Sequence, residues 1–334
     1  MTVTPDAGGP GTRAHARAVV DGRPEERGTG KYEALLLRCR GRAPVVTAVA
    51  HPCDPSSLAA VLEAARAGII APILVGPAER IRRVAKELGL DLGACAIEDA
   101  PHSHAAAARA VELVRAGRAD LLMKGSLHTD ELMAEVVKRD TGLRTGRRVS
   151  HAFLMDVPAY HKPLAITDAA VNIFPTLDDK RDIVQNTVDL MRGLGVERPK
   201  VAILSAIETV TSRIPSTIDA AALCKMAERG QIEGAILDGP LAFDNAISAE
   251  AARVKGIASP VAGDPDVLVV PDLEAGNMLA KNLTLLARAD AAGIVLGARV
   301  PIILTSRADN ERARMASCAV AALYVRASTA RAGT

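Results

Sequence analysis

The sequence has no tryptophan, and only 2% of its 334 residues are aromatic. Proteins that bind single-stranded nucleic acid stack bases on aromatic side chains and follow the phosphates with a strongly basic groove. Neither feature is present, because the formal net charge is only +2 with 24% charged residues. The composition predicts no nucleic-acid partner, while 49% hydrophobic residues is ample for the buried cores of a large globular chain.

Long apolar segments and paired cysteines are also absent. No apolar run approaches the roughly 20 residues of a membrane helix, and the amino terminus lacks the apolar core of a signal peptide. The five cysteines are scattered, with no CxxC pair: Cys39, Cys53, Cys95, Cys224 and Cys318. Scattered cysteines in odd number are typical of reduced thiols in a cytosol. We therefore predict a cytoplasmic protein without a membrane partner.

A metal centre is not predicted either. His102 and His104 are spaced like ligands, but no neighbouring carboxylate or cysteine completes a metal set. We expect both to be polar residues at the start of a helix. The sequence therefore offers no metal ligands.

The first 30 residues differ from the rest of the chain. They contain six glycines, three prolines and four arginines with almost no apolar periodicity. Such a segment buries too little surface to offset the entropy of ordering it, so we predict a disordered tail over 1–30. Its arginines suggest a transit peptide, but the acidic residues among them argue against that interpretation.

Apolar runs and amphipathic segments alternate from Lys31 onward. The runs predict strands at 45–50, 69–75, 95–97, 119–123, 152–157, 164–171, 201–205, 235–237, 267–270 and 300–304. Periodicity and capping residues predict helices between them, including 103–115, 177–193, 216–229, 244–254, 276–289 and 310–326. Repeated alternation of this kind predicts an α/β fold, with a parallel sheet covered by helices on both faces.

The chemically richest stretch lies near the carboxyl terminus, between residues 267 and 310. Gly276 and Asn277 are expected to form a tight turn and a cap ahead of a helix. The last predicted strand is followed directly by Thr305, Ser306, Arg307 and Asp309. Open α/β sheets bind ligands at the carboxyl ends of their strands. Hydroxyls, a guanidinium and a carboxylate at one strand end therefore indicate a functional site.

Two further segments carry candidate ligand-binding residues. Lys124, Gly125, Ser126, His128 and Thr129 follow a predicted strand and precede a helix. The turn either holds an anion through its N–H groups or is a simple capped turn.

Arginines precede the strand predicted at 152–157. Arg144 or Arg147 either reaches a phosphate group or is a solvated surface residue. The sequence leaves both interpretations open.

Several spaced motifs resemble one enzyme family. They are ADLLMKGSLHT at 119–129, SHAFLMDVP at 150–158, DGPLAFDNAIS at 238–248, PDLEAGNMLAK at 271–281 and PIILTSRAD at 301–309. Together, and in this order, they are similar to the motifs of the phosphate acetyltransferase and phosphate butyryltransferase family. The resemblance covers roughly residues 31 to 327.

The resemblance implies a two-domain, parallel-sheet α/β fold like that of isocitrate and isopropylmalate dehydrogenases, with the active site in the interdomain cleft. The implied first domain is 31–149 plus 290–334, and the second is 150–289. It also implies a homodimer.

The implied reaction is reversible transfer of a short acyl group, acetyl, propionyl or butyryl, between coenzyme A (CoA) and inorganic phosphate. CoA is then a co-substrate, and no tightly bound cofactor is expected. The family transfers the acyl group by direct thiolate attack in a ternary complex.

The resemblance assigns roles to residues of the carboxyl-terminal motifs. Ser306 donates a hydrogen bond, Arg307 grips a phosphoryl group, and Asn277 adds an amide donor for the oxyanion. Asp309 is either the thiol base or the N-cap of the last helix. Acetyltransferases of the family carry their essential aspartate where this chain has Ala313, whereas butyryltransferase-like members match SRAD.

The expected substrate-binding residues are Lys124, Gly125, Ser126, His128, Thr129, Arg144, Arg147 and Lys281. Lys281, one helical turn beyond Asn277, is either a phosphate contact or a surface lysine. Two rival functions remain: a metal- and NAD-dependent dehydrogenase of the related fold, and a non-catalytic sensor of CoA or acyl phosphate. The intact Ser306–Arg307 pair argues against a sensor, and no nicotinamide site is evident.

Overall fold

The computed structural model of the chain describes residues 30–304 and 310–332. Within them the strands are β1 (Val45–Ala50), β2 (Ile70–Gly76), β3 (Ala96–Asp99), β4 (Leu121–Lys124), β5 (Ser150–Asp156), β6 (Leu164–Thr167), β7 (Lys200–Leu204), β8 (Ile236–Leu241), β9 (Val267–Val269), β10 (Asp290–Leu296) and β11 (Ile302–Ile303). The tail predicted over 1–30 lies outside this part of the chain, except for Gly30.

The helices within the same two ranges are α1 (Lys31–Cys39), α2 (Pro55–Arg66), α3 (Ala78–Glu87), α4 (Ser103–Arg115), α5 (Thr129–Val136), α6 (Leu177–Gly193), α7 (Pro215–Glu228), α8 (Phe243–Ile247), α9 (Ala249–Val254), α10 (Leu273–Leu285) and α11 (Glu311–Ala332). Alternation with the strands confirms the α/β prediction. The bounds predicted for α4 and α6 are correct.

All the strands belong to one sheet, in the order β3-β2-β1-β4-β11-β10-β5-β6-β9-β7-β8. The first five are mutually parallel, as are the last four. Buried side chains form one core on one face of this sheet and two on the other, so helices cover both faces, as predicted.

The centre of the sheet departs from the predicted parallel pattern. The pairs β11–β10, β10–β5 and β5–β6 are antiparallel. Only short connections, 297–301 and 157–163, join β10 to β11 and β5 to β6. A parallel pair needs a crossover of a dozen or more residues, so these neighbours can pair only in antiparallel fashion.

One lateral row of paired residues crosses the centre of the sheet. Met123 of β4 pairs with Ile303 of β11, which pairs with Ile294 of β10. Ile294 pairs with Ala152 of β5, and Ala152 with Thr167 of β6. Strands β4, β11 and β6 therefore all end within a residue of the same row. The sheet is continuous across the predicted boundary at 149/150, and the division into two domains stays a prediction.

The turn predicted at Gly276 and Asn277 is wrong. Helix α10 already begins at Leu273, and its N-cap is Asp272, whose Oδ1 accepts a hydrogen bond from the Ala275 amide at 2.9 Å. Gly276 therefore lies inside the helix. It is needed for close packing, because a Cβ there would lie 2.9 Å from the carbonyl oxygen of Asp168.

The helix predicted at 244–254 is interrupted. Ser248 separates α8 from α9 and caps α9, since its hydroxyl accepts a hydrogen bond from the Ala251 amide. A serine that bonds backbone amides ahead of it favours a helix start over a helix interior. The apolar periodicity of the sequence runs through this break and conceals it.

Arg312, in the first turn of α11, joins several elements through ion pairs. Its guanidinium contacts Asp156 at the end of β5 at 3.0 Å, Asp290 at the start of β10 at 2.5 Å, and Glu33 of α1 at 3.0 Å. It also lies over the ring of Tyr32. The Asp156 carboxylate is fully buried, and a buried charge of this kind has to be paired. Arg312 thus fixes the start of α11 against α1, β5 and β10.

Gly125 allows the end of β4 to approach the end of β1. A Cβ at this position would lie 2.5 Å from the carbonyl oxygen of Ala50 and 2.6 Å from that of His51. Both contacts are with backbone, which cannot move aside as a flexible side chain can. The Gly125 amide donates to the Ala50 carbonyl at 2.8 Å.

We expect Gly125→Ala to lower the free energy of unfolding by about 1–3 kcal/mol, the usual cost of forcing an extra methyl into a packed site. Gly146→Ala is the matched control, because a Cβ there meets nothing within 4 Å. Urea unfolding of both variants and the parent measures the difference. Equal stability of the two variants would contradict the close approach.

Candidate active site

The crevice between β1 and β4 is the natural ligand site of the first half of the sheet. The chain places β2 and β3 on one side of β1 and then β4 on the other. Strand order reverses at this point, and open α/β sheets bind ligands at such a reversal, beyond the carboxyl ends of the strands. His51 directly follows β1 here. Lys124 is the last residue of β4, and Gly125 and Ser126 form the turn after it.

Backbone hydrogen bonds fix this turn to β1. The Gly125 and Ser126 amides donate to the carbonyls of Ala50 and His51, each at 2.8 Å. These two N–H groups are therefore not available to bind an anion. An anion site in this turn must use the N–H groups of residues after Ser126. Lys124 is buried, and its Nζ donates to the carbonyls of Gly125 and Leu127 at 3.3 and 3.2 Å.

His51 was not expected as a site residue. It is buried and has a φ of 55°, in the left-handed region that non-glycine residues seldom adopt. Its Nδ1 lies 3.1 Å from the Ser126 Oγ. Burial lowers the pKa of His51, and Arg80 lowers it further, while Glu131 and Asp54 oppose the shift. Its place directly after a buried strand was the signal available in the sequence.

His151 lies at the centre of the sheet, close to the end of β11. A Cβ on Gly293 would lie 3.1 Å from the His151 Nε2 and 3.2 Å from the carbonyl oxygen of Leu304. Because Gly293 has no side chain, the His151 imidazole fits next to the carbonyl of Leu304. The His151 ring contacts Phe153 edge-on at 4.3 Å, and its buried Nδ1 has no hydrogen-bond partner within the described ranges.

The loop after β6 follows another strand that ends at the central row. Asp168 Oδ1 accepts from the amides of Ala170 and Val171 at 2.9 and 3.0 Å, and its Oδ2 accepts from Asn172 Nδ2 at 2.6 Å. Asn172 in turn accepts a hydrogen bond from Arg148 Nε at 2.7 Å. Arg148, which was not among the predicted site residues, is thereby tied to the end of β6.

Asn277 joins this loop from α10. Its Nδ2 donates to the Ala169 carbonyl at 3.3 Å, which leaves its second amide hydrogen and its Oδ1 for other contacts. Lys281, one turn further along α10, is exposed.

The other predicted substrate-binding residues lie at the surface. His128 and Thr129 are exposed at the start of α5, and Arg144 is exposed beside its bridge partner Ala298. Arg147 is exposed and pairs with Asp189 of α6 at 2.5 Å. Whether these four residues bind substrate stays a prediction.

Ser306, Arg307 and Asp309 lie outside the described residues, so their predicted roles stay predictions too. One alternative is wrong: the N-cap role considered for Asp309 belongs to Asn310. The Asn310 Oδ1 accepts a hydrogen bond from the Ala313 amide at 2.7 Å, directly before the first residue of α11. Asparagine is as good a helix cap as aspartate, and sequence alone cannot choose between adjacent candidates.

Comparison with known proteins identifies the family. Residues 103–322 match the model of the phosphate acetyl/butaryl transferase family. A phosphate acetyltransferase of Rhizobium meliloti is 68% identical over 294 residues, which cover 88% of this chain and 93% of the relative. This chain belongs to the phosphate acetyl/butyryl transferase family.

More distant members agree with this assignment. A phosphate butyryltransferase of Clostridium acetobutylicum is 40% identical over 292 residues, or 87% of this chain and 97% of the relative. The crystal structure of a branched-chain phosphotransacylase from Enterococcus faecalis V583 superposes with a TM-score of 0.73 at 31% identity, covering 84% of this chain and 99% of the other. The α/β fold and the family resemblance drawn from the motifs are therefore confirmed.

Three further features of the described residues concern metal ligands, membrane helices and cysteines. Among the described residues, no group of three or more His, Cys, Asp or Glu side chains is placed to hold a metal ion. No helix in the same ranges has the length and apolar character needed to cross a membrane. All five cysteines are free thiols.

Burial lowers the pKa of His151 from 6.5 to about 4, against a weaker opposing effect of Asp168. Between these two pH values only the unfolded chain protonates this ring. Acidification across this window should therefore lower the free energy of unfolding, by up to about 3 kcal/mol, and above pH 6.5 the effect vanishes.

Urea unfolding at a series of pH values measures this effect. His151→Gln cannot titrate, so its free energy of unfolding should depend less on pH than that of the parent. Parallel pH dependences for parent and variant would contradict the burial of a neutral imidazole.

Proposed function

We propose that the protein transfers a short acyl group reversibly between CoA and inorganic phosphate. The observation that carries the proposal is the 68% identity to a phosphate acetyltransferase along 93% of that relative's length. The geometry supports it, because β4, β11 and β6, the strands next to the candidate residues, all end within a residue of one lateral row of the sheet. Acetyl, propionyl and butyryl groups are the candidate acyl groups.

Direct transfer needs groups that stabilise the charge that develops on the acyl carbonyl and on the phosphate. In the direction that forms acyl-CoA, the CoA thiolate attacks the carbonyl carbon of the acyl phosphate and phosphate leaves. We assign the oxyanion donors to Ser306 and Asn277, whose second amide hydrogen has no acceptor among the described residues. Arg307 holds the phosphoryl oxygens through two parallel N–H bonds, and Lys124 adds positive charge at the end of β4.

Formation of the thiolate is a separate requirement. A free thiol has a pKa of about 8.5, so only a few per cent is ionised at neutral pH. Asp309 is the candidate base that the family resemblance supplies. Asn310 is the residue that caps α11. CoA is a co-substrate in this scheme, with no tightly bound cofactor.

The remaining polar residues are proposed contacts for the phosphates of the two substrates. Arg144, Arg147 and Lys281 are exposed cations that phosphate groups can reach. His128 and Thr129 lie at the start of α5, where backbone N–H groups favour an anion. A cytoplasmic location, where CoA is available, is part of the proposal.

The assay is release of free thiol from acetyl-, propionyl- and butyryl-CoA on addition of inorganic phosphate, with no nicotinamide present. We expect phosphate-dependent release with at least one of the three, and acyl phosphate as the second product. The relative kcat/KM values then give the acyl preference, since one methylene in a pocket changes the free energy by about 1–3 kcal/mol. No phosphate-dependent release with any of them would refute the proposal.

Arg307→Lys should raise the KM for phosphate and leave the KM for CoA nearly unchanged. Lysine keeps the charge but loses the planar fork that binds two oxygens at once. Two-substrate kinetics of parent and variant measure both constants. Arg299→Lys, another arginine close to β11 in the sequence, is the control, and an unchanged phosphate dependence for Arg307→Lys would remove Arg307 from the site.

We also propose a homodimer that buries the outer side of α10. Met278, Leu285 and Leu286 are 59%, 77% and 82% exposed there, which is unusual for large apolar side chains on one helix. Light scattering should give twice the chain mass of 34.8 kDa. Leu285→Glu should shift the protein toward the monomer, because it places a charge in the proposed interface. A monomeric parent protein would refute the proposal.

A further inference from the structure

We propose that His51 is a further catalytic residue, whose Nε2 accepts the thiol proton of CoA. The proposal rests on the acyl transfer proposed above and names the group that generates the thiolate. Three observations carry it: the hydrogen bonds around the His51 Nδ1, the strained backbone that presents the ring, and the position of His51 directly after β1, beside the end of β4.

Hydrogen bonds around Ser126 determine the tautomer of His51. The Ser126 Oγ lies 2.7 Å from the His51 carbonyl oxygen, which can only accept, so the hydroxyl proton lies between these two atoms. The Cys53 amide donates to the same Oγ at 3.2 Å. The contact at 3.1 Å between Oγ and the His51 Nδ1 then requires a proton on Nδ1. In the neutral ring, the free lone pair is therefore on Nε2.

The backbone at His51 is held in a conformation of higher energy. A φ of 55° is unusual for histidine, and such residues persist only where the surroundings determine them. Here the His51 carbonyl accepts from the amides of Cys53 and Ser126 at 2.9 and 2.8 Å, in addition to the Ser126 hydroxyl. The conformation is thus enforced, and strain of this kind is concentrated at functional sites.

The charged and titratable groups that face His51 come from four helices. They are Asp54 at the cap of α2, Arg80 of α3, His102 at the cap of α4, and Glu131 of α5. Burial is the largest influence and lowers the pKa of the imidazole below 6.5. His51 is therefore neutral at pH 7, and its Nε2 has no hydrogen-bond partner among the described residues. The ring is in the form that can take a proton.

A comparison of basicities favours His51 over Asp309 as the base. An ordinary aspartate has a pKa of about 3.9, more than four units below that of a thiol, whereas an ordinary histidine lies about two units below it, and burial lowers the pKa of His51 further. Proton transfer is most effective when the pKa of the base lies near the working pH. His51 therefore suits the proton transfer better, and Asp309 remains available to orient a substrate.

The proposed step balances as follows. His51 Nε2 takes the proton of the CoA thiol and becomes an imidazolium, and the thiolate forms a bond to the carbonyl carbon of the acyl phosphate. The bond from that carbon to the phosphate oxygen breaks, and the electron pair leaves with phosphate. The imidazolium then gives its proton to the departing phosphate or to water, which restores the neutral ring.

The decisive variant is His51→Asn. Asparagine tolerates the left-handed backbone, and its amide can donate to Ser126 in place of Nδ1–H, but it has no counterpart of Nε2. At pH 7 we expect kcat/KM for CoA to fall by about 10²–10⁴-fold, the usual contribution of a general base. His161→Asn is the control, since His161 is exposed and pairs with Asp264.

The pH profile separates a base from a structural residue. For the parent, kcat/KM for CoA should level off above the pKa of His51. For His51→Asn it should rise about tenfold per pH unit up to the thiol pKa near 8.5, so that the deficit shrinks with pH. A deficit independent of pH, or no deficit, would overturn the proposal. Parent activity, measured alongside, tests the acyl transfer separately.

A second measurement needs no variant enzyme to be active. In protein labelled with ¹⁵N-histidine, the His51 signals, assigned by their loss in His51→Asn, should report a neutral ring with its proton on Nδ1. CoA should shift the Nε2 signal, whereas desulfo-CoA, which lacks the thiol, should not. A proton on Nε2 in the free enzyme, or equal shifts with the two ligands, would overturn the assignment.

Discussion

The antiparallel pairing of β5 with β10 is the interaction on which the rest of the structure depends. Seven residues of each strand pair, from Asp156 opposite Asp290 to Ser150 opposite Leu296. Four strands lie beyond β11 on one side and four beyond β5 on the other. At one end of the pair, Arg312 joins the carboxylates of Asp156 and Asp290 to helix α11. Without this pair, the two parallel halves would not form one continuous sheet.

The continuous sheet explains why the residues of the candidate site come from distant parts of the sequence. One half supplies His51 and the Lys124 turn, and the other supplies the loop after β6 with Asn277 packed on it. Gly293, in the middle of β10, leaves room for His151 beside the Leu304 carbonyl. The candidate residues of both halves therefore lie near strand ends that reach the central row.

Several features of the fold could be predicted because they depend on local chemistry. Thr176 is followed by acidic residues and by a regular apolar stripe, and α6 begins and ends as expected. The α10 start was misplaced because Gly276 and Asn277 resemble a turn, whereas Asp272 provides the cap. The glycine is explained only by the packing of α10 against Val270 and Asp168, the residues that directly follow β9 and β6. His51 was overlooked for a similar reason, since its bonds to Ser126 join residues 75 positions apart.

The sequence by itself determined the alternation of strands and helices, the buried character of the strands, and the family, because periodicity, caps and ordered motifs are local properties of the chain. Tertiary structure alone decided the antiparallel centre of the sheet and the hydrogen bonds around His51. Each of these depends on which distant backbone groups meet. A carbonyl such as that of His51 acquires its partners only when β4 is placed beside β1, and no local pattern records that placement.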